Sequence, residues 1–358
     1  MNSKKYDAII AMSGGVDSSV AALLTKKQGF DCLGITMSLT DNSGVTDGNS
    51  CSSQKDAYDA AEVCRALGIP HTVCDFSSDF KEKVIDKFVS DYENGRTPNP
   101  CVECNRYLKF ELLFGEAKKY GNVRVVTGHY ADVEYDKNSG RYLLKKAKDT
   151  SKDQSYVLYS LSQNQLATAM FPLGRLDKTS VREIARENGF VNSEKKDSQD
   201  ICFIKGCSYR EFIENYTGKK YPAGNFVDKN GSILGQHKGI INYTVGQRKK
   251  LGLVLPRPMF VCSVDPETNT VRLGTEEELY SRELTAKRIN LISVPEIKGQ
   301  MKIKAKIRYK QTEEPAVVEQ ISEDKIKIIF DKPVRAITKG QSVVMYDGDY
   351  VIGGGIIC

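Results

Sequence analysis

Two groups of residues in this 358-residue chain have types and spacings that suit chemistry. One is the stretch Ser13-Gly-Gly-Val-Asp-Ser-Ser19 near the N-terminus, and the other is a set of cysteines that includes Cys101, Cys104 and Cys202. Backbone amides in a glycine-rich turn at the start of a helix bind anions, and cysteine thiolates act as nucleophiles. The sequence therefore indicates a phosphate site and a thiol centre in one chain.

The glycine-rich stretch lies between an apolar run at residues 6–11, which predicts a buried strand, and residues 20–27, which predict a helix. Gly14 and Gly15 allow backbone angles and close approaches that a Cβ would block. The stretch lacks the lysine of a Walker A loop. Its S-G-G-x-D-S pattern is similar to the pyrophosphate loop of N-type ATP pyrophosphatases, which cleave ATP between the α and β phosphates.

Polar side chains accompany these glycines. We expect the hydroxyls of Ser13, Ser18 and Ser19 to add hydrogen-bond donors to the positive end of the helix. Asp17 has two interpretations, because it could be a carboxylate on the Mg²⁺ side of a nucleotide or a cap of the helix start.

The cysteines allow three interpretations. Residues 95–100 (GRTPNP) predict a stiff, exposed loop, and a helix predicted from Asn105 places Cys104 near a helix N-terminus, where the dipole favours the thiolate. Cys104 and Cys202 could form a redox-active pair that handles sulfur. Cys101, Cys104 and Cys202 could instead ligate a metal or an iron–sulfur cluster, although one C-x-x-C is a weak metal signal. The thiols could also simply fill the core.

The elements around these residues alternate between strand and helix patterns over the first 130 residues. This alternation predicts a doubly wound parallel sheet, in which ligands bind at the carboxyl ends of the strands. The phosphate loop, Met37 and Gly128 all follow predicted strands. We expect an α/β chain of three parts, with a catalytic domain at residues 1–205, a small central domain at 206–280 and a C-terminal β-barrel at 281–358. A β-hairpin is predicted at 132–150 and an N-cap at Asp177.

The composition of the chain indicates its cellular location and the charge of a possible partner. Ten cysteines scattered over this length do not resemble a secreted disulfide scaffold, and no run of about 18 apolar residues predicts a membrane span. We therefore expect a cytoplasmic protein that does not enter a membrane. The net charge of +6 is compatible with a polyanionic partner.

One segment of the predicted barrel has positively charged residues at every second position. A strand at residues 301–310 would present four cations on one face, namely Lys302, Lys304, Lys306 and Arg308. Such a row suits a phosphate backbone, although a merely solvated face is the alternative. Residues 247–250 (QRKK) are a second candidate patch.

Taken together, the motifs of the chain closely resemble those of bacterial tRNA-specific 2-thiouridylases, the MnmA family, within the N-type ATP pyrophosphatases. The resemblance extends from Tyr6 to about Tyr350. It rests on SGGVDSS at 13–19, Met37, TPNPCVECN at 97–105, TGHYA at 127–131, KDQSY at 152–156, DSQDICFI at 197–204, YTVGQRKKLG at 243–252 and RY at 308–309.

This resemblance implies a tRNA-uridine 2-sulfurtransferase. In such enzymes ATP, with Mg²⁺, adenylates the C2 oxygen of the wobble uridine (position 34) of the tRNAs for Lys, Glu and Gln, and a persulfide then supplies sulfur. Cys202 would carry the persulfide, and Cys104 would be the partner thiol that can close a disulfide with it. A cysteine desulfurase or a sulfur relay protein would be the persulfide donor.

The resemblance also implies the binding residues. ATP would be held by Ala11, Met12, Ser13, Gly14, Gly15, Val16, Asp17, Ser18, Met37 and Gly128. The tRNA would contact Asn99, Pro100, Cys101, His129, Lys152, Asp153, Gln154, Arg308, Tyr309 and Gln341. Many relatives carry Asp where this chain has Cys101, so an iron–sulfur cluster on Cys101, Cys104 and Cys202 stays open as the alternative sulfur carrier. The persulfide is the favoured hypothesis.

Overall fold

The computed structural model describes residues 5–39, 54–121, 123–195, 201–204 and 206–358, and its strands there form three sheets. The predicted polar loop at 40–50, Cys51 and residues 197–200 of the second cysteine motif lie outside the described residues. Within the described ranges, no helix is both long enough and apolar enough to cross a membrane.

The first sheet is parallel, with the order β3-β2-β1-β4-β7. In chain order, the strands up to residue 170 are β1 (Ala8–Ala11), β2 (Cys32–Ser38), β3 (His71–Asp75), β4 (Arg124–Val126), β5 (Ala131–Asp136), β6 (Arg141–Lys146) and β7 (Ala169–Met170). The hairpin of β5 and β6 confirms the one predicted at 132–150.

Helices cover both faces of the parallel sheet. The α-helices of this part are α1 (Val16–Lys27), α2 (Gln54–Ala66), α3 (Ser77–Phe80), α4 (Lys87–Glu93), α5 (Pro100–Glu103), α6 (Leu113–Ala117), α7 (Ser155–Leu158), α8 (Gln163–Thr168) and α9 (Lys178–Glu187). On one face α1, α2 and α9 bury apolar side chains against Ala8 and Ile10 of β1, while on the other α6 packs against Ile9. The predicted doubly wound sheet is confirmed.

Two helix starts differ from the prediction. Helix α1 begins at Val16 rather than at residue 20, so its first turn contains the second half of the glycine-rich stretch. The helix with Cys104 begins at Pro100 rather than Asn105, because proline is well suited to the first helical position. It continues as a π-helical segment, Cys104–Leu112, and a similar segment, Lys81–Asp86, joins α3 to α4.

The predicted exposed loop at 95–100 is wrong. Pro98 and Pro100 are buried, and the amide of Thr97 donates a hydrogen bond to the carbonyl of Lys339, far away in the chain. The loop is therefore packed between parts of the molecule. The N-cap at Asp177 is confirmed, since its side chain accepts a hydrogen bond from the amide of Ser180.

The central part has one α-helix, α10 (Tyr209–Thr217), and a sheet of order β10-β11-β8-β9. Its strands are β8 (Gly224–Val227), β9 (Ile233–His237), β10 (Phe260–Asp265) and β11 (Thr270–Gly274). Phe226 and Val261 of this sheet belong to the same hydrophobic core as Phe88 and Leu108 of the first part. The central and N-terminal parts therefore share a core.

The C-terminal part is a closed six-stranded β-barrel, as predicted. Its strands are β12 (Tyr280–Leu291), β13 (Gln300–Lys306), β14 (Glu314–Ser322), β15 (Lys325–Arg335), β16 (Ser342–Asp347) and β17 (Tyr350–Ile357). Pairing of β12 with β17 closes the barrel, and the pair Tyr350 and Lys145 attaches the β5–β6 hairpin to it. The barrel is thus continuous with a hairpin of the N-terminal part.

The lysine row on β13 follows the predicted alternation only in part. Lys302 and Lys304 are exposed, whereas Ile303 and Ala305 are buried. The strand ends at Lys306, so Arg308 is not on it.

Candidate functional site

The glycine-rich stretch forms a tight turn between β1 and α1. Gly14 has φ +69°, and a Cβ there would collide with the backbone carbonyl of Asp56. Gly15 is the N-cap of α1 in extended conformation and offers no side chain to the helix amides. The backbone amides at this helix start therefore face a cradle without a side-chain cap, which is the arrangement that binds phosphates.

The expectation that all three serine hydroxyls serve as open donors is wrong. Ser18 and Ser19 are buried, and both hydroxyls donate to the carbonyl of Gly15 at 3.0 Å. The Ser18 hydroxyl also accepts a hydrogen bond from the Ser13 amide at 3.2 Å. These hydroxyls shape the loop, and Ser13 is the exposed one of the three.

Gly128 lies directly against this turn. A Cβ at Gly128 would come within 2.7 Å of the Asp17 carbonyl carbon and the Ser18 amide nitrogen. Met37, at the carboxyl end of β2, packs against hydrophobic cores on both sides of it. The structure thus brings Gly128 to the phosphate loop, and it places Met37 at the same edge of the sheet.

Asp17 is neither a helix cap nor open to a metal as arranged. Lys178 Nζ lies 2.7 and 2.8 Å from its two carboxylate oxygens, and the Tyr130 hydroxyl donates to Oδ1 at 2.8 Å. A Mg²⁺ ion would have to share these oxygens with Lys178 or displace it. Asp17 as a magnesium ligand stays a prediction.

Sequence reasoning missed the groups that hold the loop from behind. Asn192 Nδ2 donates to the Gly14 carbonyl at 3.0 Å and to the Ser19 hydroxyl at 2.9 Å. Lys195 Nζ also donates to the Gly14 carbonyl, at 3.0 Å, and it pairs with the carboxylates of Asp56 and Asp59. No motif marks these residues, because they act through a fold that brings positions about 180 apart together.

Cys104 and Cys202 pack against one hydrophobic core, although they are far apart in the chain. Both side chains are partly buried. Leu108, one helical turn after Cys104, and Phe203, next to Cys202, are buried in this core. Met37 also contacts it, so the core connects the edge of the parallel sheet with both cysteines.

Phe203 anchors the segment of Cys202. Its ring lies 5.3 Å from that of Phe88 and 5.2 Å from that of Phe212, measured between centroids, in edge and tilted arrangements. Such aromatic contacts give the short described segment 201–204 a defined place despite its lack of helix or strand.

Cys101 is exposed, whereas Cys104 and Cys202 are partly buried. Burial raises the pKa of the Tyr309 phenol, and the nearby charges of Asp153 and Cys101 raise it further. Among the described residues, which include all three thiols, no group of three Cys, His, Asp or Glu side chains is arranged to hold a metal. An iron–sulfur cluster as the sulfur carrier stays the alternative prediction.

Two residues assigned to tRNA by resemblance serve internal hydrogen bonds. Asp153 is buried and accepts hydrogen bonds from the amides of Ala147 and Ser155. Gln154 Oε1 accepts from the Tyr130 amide at 2.9 Å. Both side chains hold the segment that leads into α7. Lys152, just before them, is half-buried.

His129 is buried between Phe110 and Phe171, and its Nδ1 lies 2.7 Å from the Thr127 hydroxyl. Burial, with a smaller contribution from Lys109, lowers the pKa of His129 well below its ordinary value. The imidazole is therefore neutral at pH 7 and offers no charge to a phosphate.

Arg308 and Gln341 also bond within the protein. The Arg308 guanidinium donates to the Ala336 carbonyl at 2.8 Å and to the Thr338 hydroxyl at 3.2 Å. Burial and the neighbouring Arg335 lower the pKa of Arg308.

Gln341 Nε2 donates to the carbonyls of residues 97 and 98. Asn99 is the N-cap of α5 and Pro100 its first residue. Contact of these residues with tRNA stays a prediction.

Family models match three successive ranges of the chain. Residues 7–206 match a tRNA methyl transferase HUP domain, 210–275 a tRNA methyl transferase PRC-barrel domain, and 281–357 an aminomethyltransferase β-barrel domain. The chain is 49% identical to the tRNA-specific 2-thiouridylase MnmA of Clostridioides difficile, covering 100% of this chain and 98% of the relative. It is 48% identical to the MnmA of Acetivibrio thermocellus, covering 99% of each.

The chain belongs to the MnmA family of tRNA-specific 2-thiouridylases. The expected family and the expected class of enzyme are thereby confirmed. Among solved structures, the chain is similar to NMN synthetase from Francisella tularensis, with 18% identity, a TM-score of 0.36, and coverage of 60% of this chain and 79% of that chain.

In this MnmA-family chain the candidate site has a nucleotide half and a thiol half, which are built differently. The phosphate loop is a compact turn supported by Asn192 and Lys195, and the cysteines belong to a core shared by the N-terminal and central parts. Met37, near the carboxyl end of β2 and so at the edge of the sheet where the phosphate loop lies, contacts this shared core. In open parallel sheets this edge is where ligands bind.

Proposed function

We propose that this MnmA-family protein uses ATP to replace the C2 oxygen of the wobble uridine of tRNA with sulfur carried as a persulfide on Cys202. One observation carries the proposal, namely that Cys104 and Cys202 pack against a single core that also contacts Met37 beside the phosphate loop. A nucleotide cradle at a sheet edge and two thiols on a core that also contacts this edge suit activation of a base followed by sulfur transfer.

ATP would bind with its phosphates over the start of α1. The amides of this uncapped helix start carry partial positive charge, and they would stabilise the charge that develops as pyrophosphate departs. The absence of a Cβ at Gly14 and Gly128 lets the backbone segments of the cradle approach each other. Mg²⁺, once bound, would neutralise phosphate charge, with Asp17 as its candidate protein ligand.

Adenylation is needed because the C2 oxygen of uracil is by itself a poor leaving group. The C2 oxygen of uracil attacks the α phosphorus, pyrophosphate leaves, and the oxygen becomes part of a good leaving group, AMP. The target uridine has to leave its stack to reach the site, as it does in other enzymes that act on a base.

Sulfur transfer then requires both thiols. The terminal sulfur of the Cys202 persulfide attacks C2, and AMP departs with the former C2 oxygen. The thiolate of Cys104 next attacks the Cys202 sulfur, so that the bond between that sulfur and the transferred sulfur breaks. The products are 2-thiouridine and a disulfide between Cys104 and Cys202, which a reductant must open before a persulfide donor reloads Cys202.

The exposed lysines of β13 would contact the tRNA backbone, and the tRNAs for Lys, Glu and Gln are the proposed substrates. A cysteine desulfurase or a sulfur relay protein is the proposed donor, and the cytoplasm is the proposed location.

Mass spectrometry of tRNA from cells that lack the gene tests the function. The proposal expects loss of 2-thiouridine at position 34 and its return with the wild-type gene. Unchanged 2-thiouridine would contradict it. Iron and acid-labile sulfide analysis of anaerobically purified protein tests the mechanism, because near-stoichiometric 4Fe–4S with activity lost on its removal would replace the persulfide with a cluster.

A further inference from the structure

A turn of the barrel at residues 335–341, between β15 and β16, contacts the backbone that leads to the helix of Cys104. The Lys339 carbonyl accepts a hydrogen bond from the Thr97 amide at 2.9 Å. Gln341 Nε2 donates to the Thr97 carbonyl at 2.9 Å and to the Pro98 carbonyl at 3.1 Å. The turn therefore binds both the donor and the acceptor groups of this backbone.

The approach of the two segments is close as well as hydrogen-bonded. Gly340 has φ +91°, and a Cβ there would lie 3.0 Å from the Arg96 Cβ and 3.0 Å from the Thr97 carbonyl oxygen. A side chain at this position would have to push the segment away or distort the turn.

Other parts of the chain fix the shape of this turn. Ala336 is buried with φ +57°, a conformation that a non-glycine residue keeps only where its surroundings determine it. Its carbonyl accepts hydrogen bonds from Arg308 at 2.8 Å and from Thr338 at 2.9 Å. A Cβ on Gly246 of the central part would lie 3.1 Å from the Ala336 Cβ. Barrel and central part thus hold the turn together.

The short path from the turn to Cys104 is stiff. Two buried prolines, Pro98 and Pro100, each fix φ near −65°, and Pro100 is the first residue of α5. Cys104 follows within the same continuous helix and packs against the shared core. A displacement of the backbone at residues 97 and 98 therefore moves the helix rather than being absorbed before it.

We propose that Gln341 and Gly340 are positioning residues for Cys104. They act through the backbone of residues 97 and 98, so that the barrel, which is the proposed tRNA-binding part, sets the place of the thiol. The Gln341 nitrogen faces two carbonyls that can only accept, so both of its hydrogens serve this contact. The inference rests on the proposed function only in giving Cys104 a chemical role.

The variant Gln341→Glu of the full chain tests the inference. Glutamate has nearly the same size but offers two acceptors to two carbonyls, so the contact becomes repulsive. We expect Cys104 to react with iodoacetamide about fivefold faster without tRNA or ATP, the factor that corresponds to one ordinary hydrogen bond. Peptide mass spectrometry measures this rate against exposed Cys207 in the same sample. The single-turnover rate of thiolation should fall while KM for tRNA stays within about twofold.

The matched control is Gln320→Glu, a barrel glutamine whose Oε1 accepts a hydrogen bond from the Ile297 amide, a contact that glutamate retains. It should leave the Cys104 rate unchanged. If Gln341→Glu does not fold, Gln341→Asn provides the same test, because it keeps the donors but shortens their reach.

An unchanged Cys104 rate in a folded Gln341 variant would overturn the inference. If tRNA binding weakened in that variant, Gln341 would be a tRNA contact; if binding were also unchanged, the contact would have no positioning role. Failure of the proposed function would look different, because wild-type protein would not thiolate tRNA while the alkylation difference persisted.

Discussion

The phosphate loop and the segments that carry Cys104 and Cys202 are built in different ways. The loop combines bonds among its own residues, such as those from Ser18 and Ser19 to Gly15, with support from Asn192 and Lys195. The cysteines lie on segments that are ordered by a core of the N-terminal and central parts and, for Cys104, by a turn of the barrel. A local motif therefore forms the turn of the nucleotide half, whereas the thiol half depends entirely on how the parts of the chain pack.

The largest expected effect is the loss of thiolation when a thiol is removed, with the nucleotide half left intact. Cys104→Ser or Cys202→Ser should lower thiolation by a factor on the order of 10³ or more, as expected when a nucleophile is removed. ATP binding should stay unchanged, because the phosphate loop contains no cysteine. The checks are thiolation of tRNA followed by mass spectrometry and ATP affinity measured by calorimetry.

Two further cysteines complete this experiment. Cys207→Ser, at an exposed position, should behave as wild type. Cys101→Ser should keep most of the activity if the persulfide is the carrier. A loss as large as that of Cys104→Ser would favour the cluster and contradict the two-thiol mechanism.

A smaller effect is expected from a substitution that disturbs only the nucleotide half of the site. Gly14→Ala would place a Cβ against the Asp56 carbonyl, and we expect formation of pyrophosphate to fall on the order of 10²-fold, as it does when a charge-stabilising donor is displaced. Alkylation of Cys104 should be unaffected. Release of pyrophosphate in the presence of tRNA measures the first effect.

Gly29→Ala is the matched control for Gly14→Ala. Gly29 also has a positive φ, +89°, but a Cβ there meets nothing within 4 Å. It should cost about 1–2 kcal/mol of the free energy of unfolding and leave pyrophosphate release unchanged. Equal effects of the two variants on catalysis would show that backbone strain, not the close approach at the loop, is the cause.

The next effect concerns the ion pair that occupies Asp17. Lys178→Met should weaken ATP binding about tenfold if Lys178 transfers from Asp17 to the phosphates when the nucleotide arrives. Lys26→Met, at an exposed position on the same helix as Asp17, should leave the affinity unchanged. Tighter ATP binding in Lys178→Met would mean that the lysine merely competes with Mg²⁺ for the carboxylate.

The smallest effect concerns the barrel surface. Lys302→Gln with Lys304→Gln should weaken tRNA binding about fivefold and reduce the slope of log affinity against log salt by about 1.5, since two phosphate contacts are lost. The exposed pair Lys325 and Lys332 of β15, changed in the same way, is the control. Lys306 is the poorer choice, because its Nζ lies 5.8 Å from the centre of the Tyr346 ring. An unchanged slope would remove β13 from the interface.

The sequence alone determined the family, the fold class and the nature of the loop. These features follow from residues that are close together in the sequence. Examples are the Gly14–Gly15 turn, the alternation of strands with helices and the period of two along β13. The same reasoning misplaced the start of the Cys104 helix and the exposure of residues 95–100. The exposure was misjudged because a local pattern cannot register a contact with Lys339 or Gln341, whereas the helix start was misplaced although Pro100 itself is a local signal for it.

Only the tertiary structure decided the partners of the functional groups. It paired Asp17 with Lys178, supported Gly14 from Asn192 and Lys195, and brought Cys104 and Cys202 to one core. Each of these contacts joins positions about 100 to 180 apart, and no periodicity spans such separations. They form because buried apolar surface, which has no direction, drives the parts of the chain together and fixes their side chains at atomic distances.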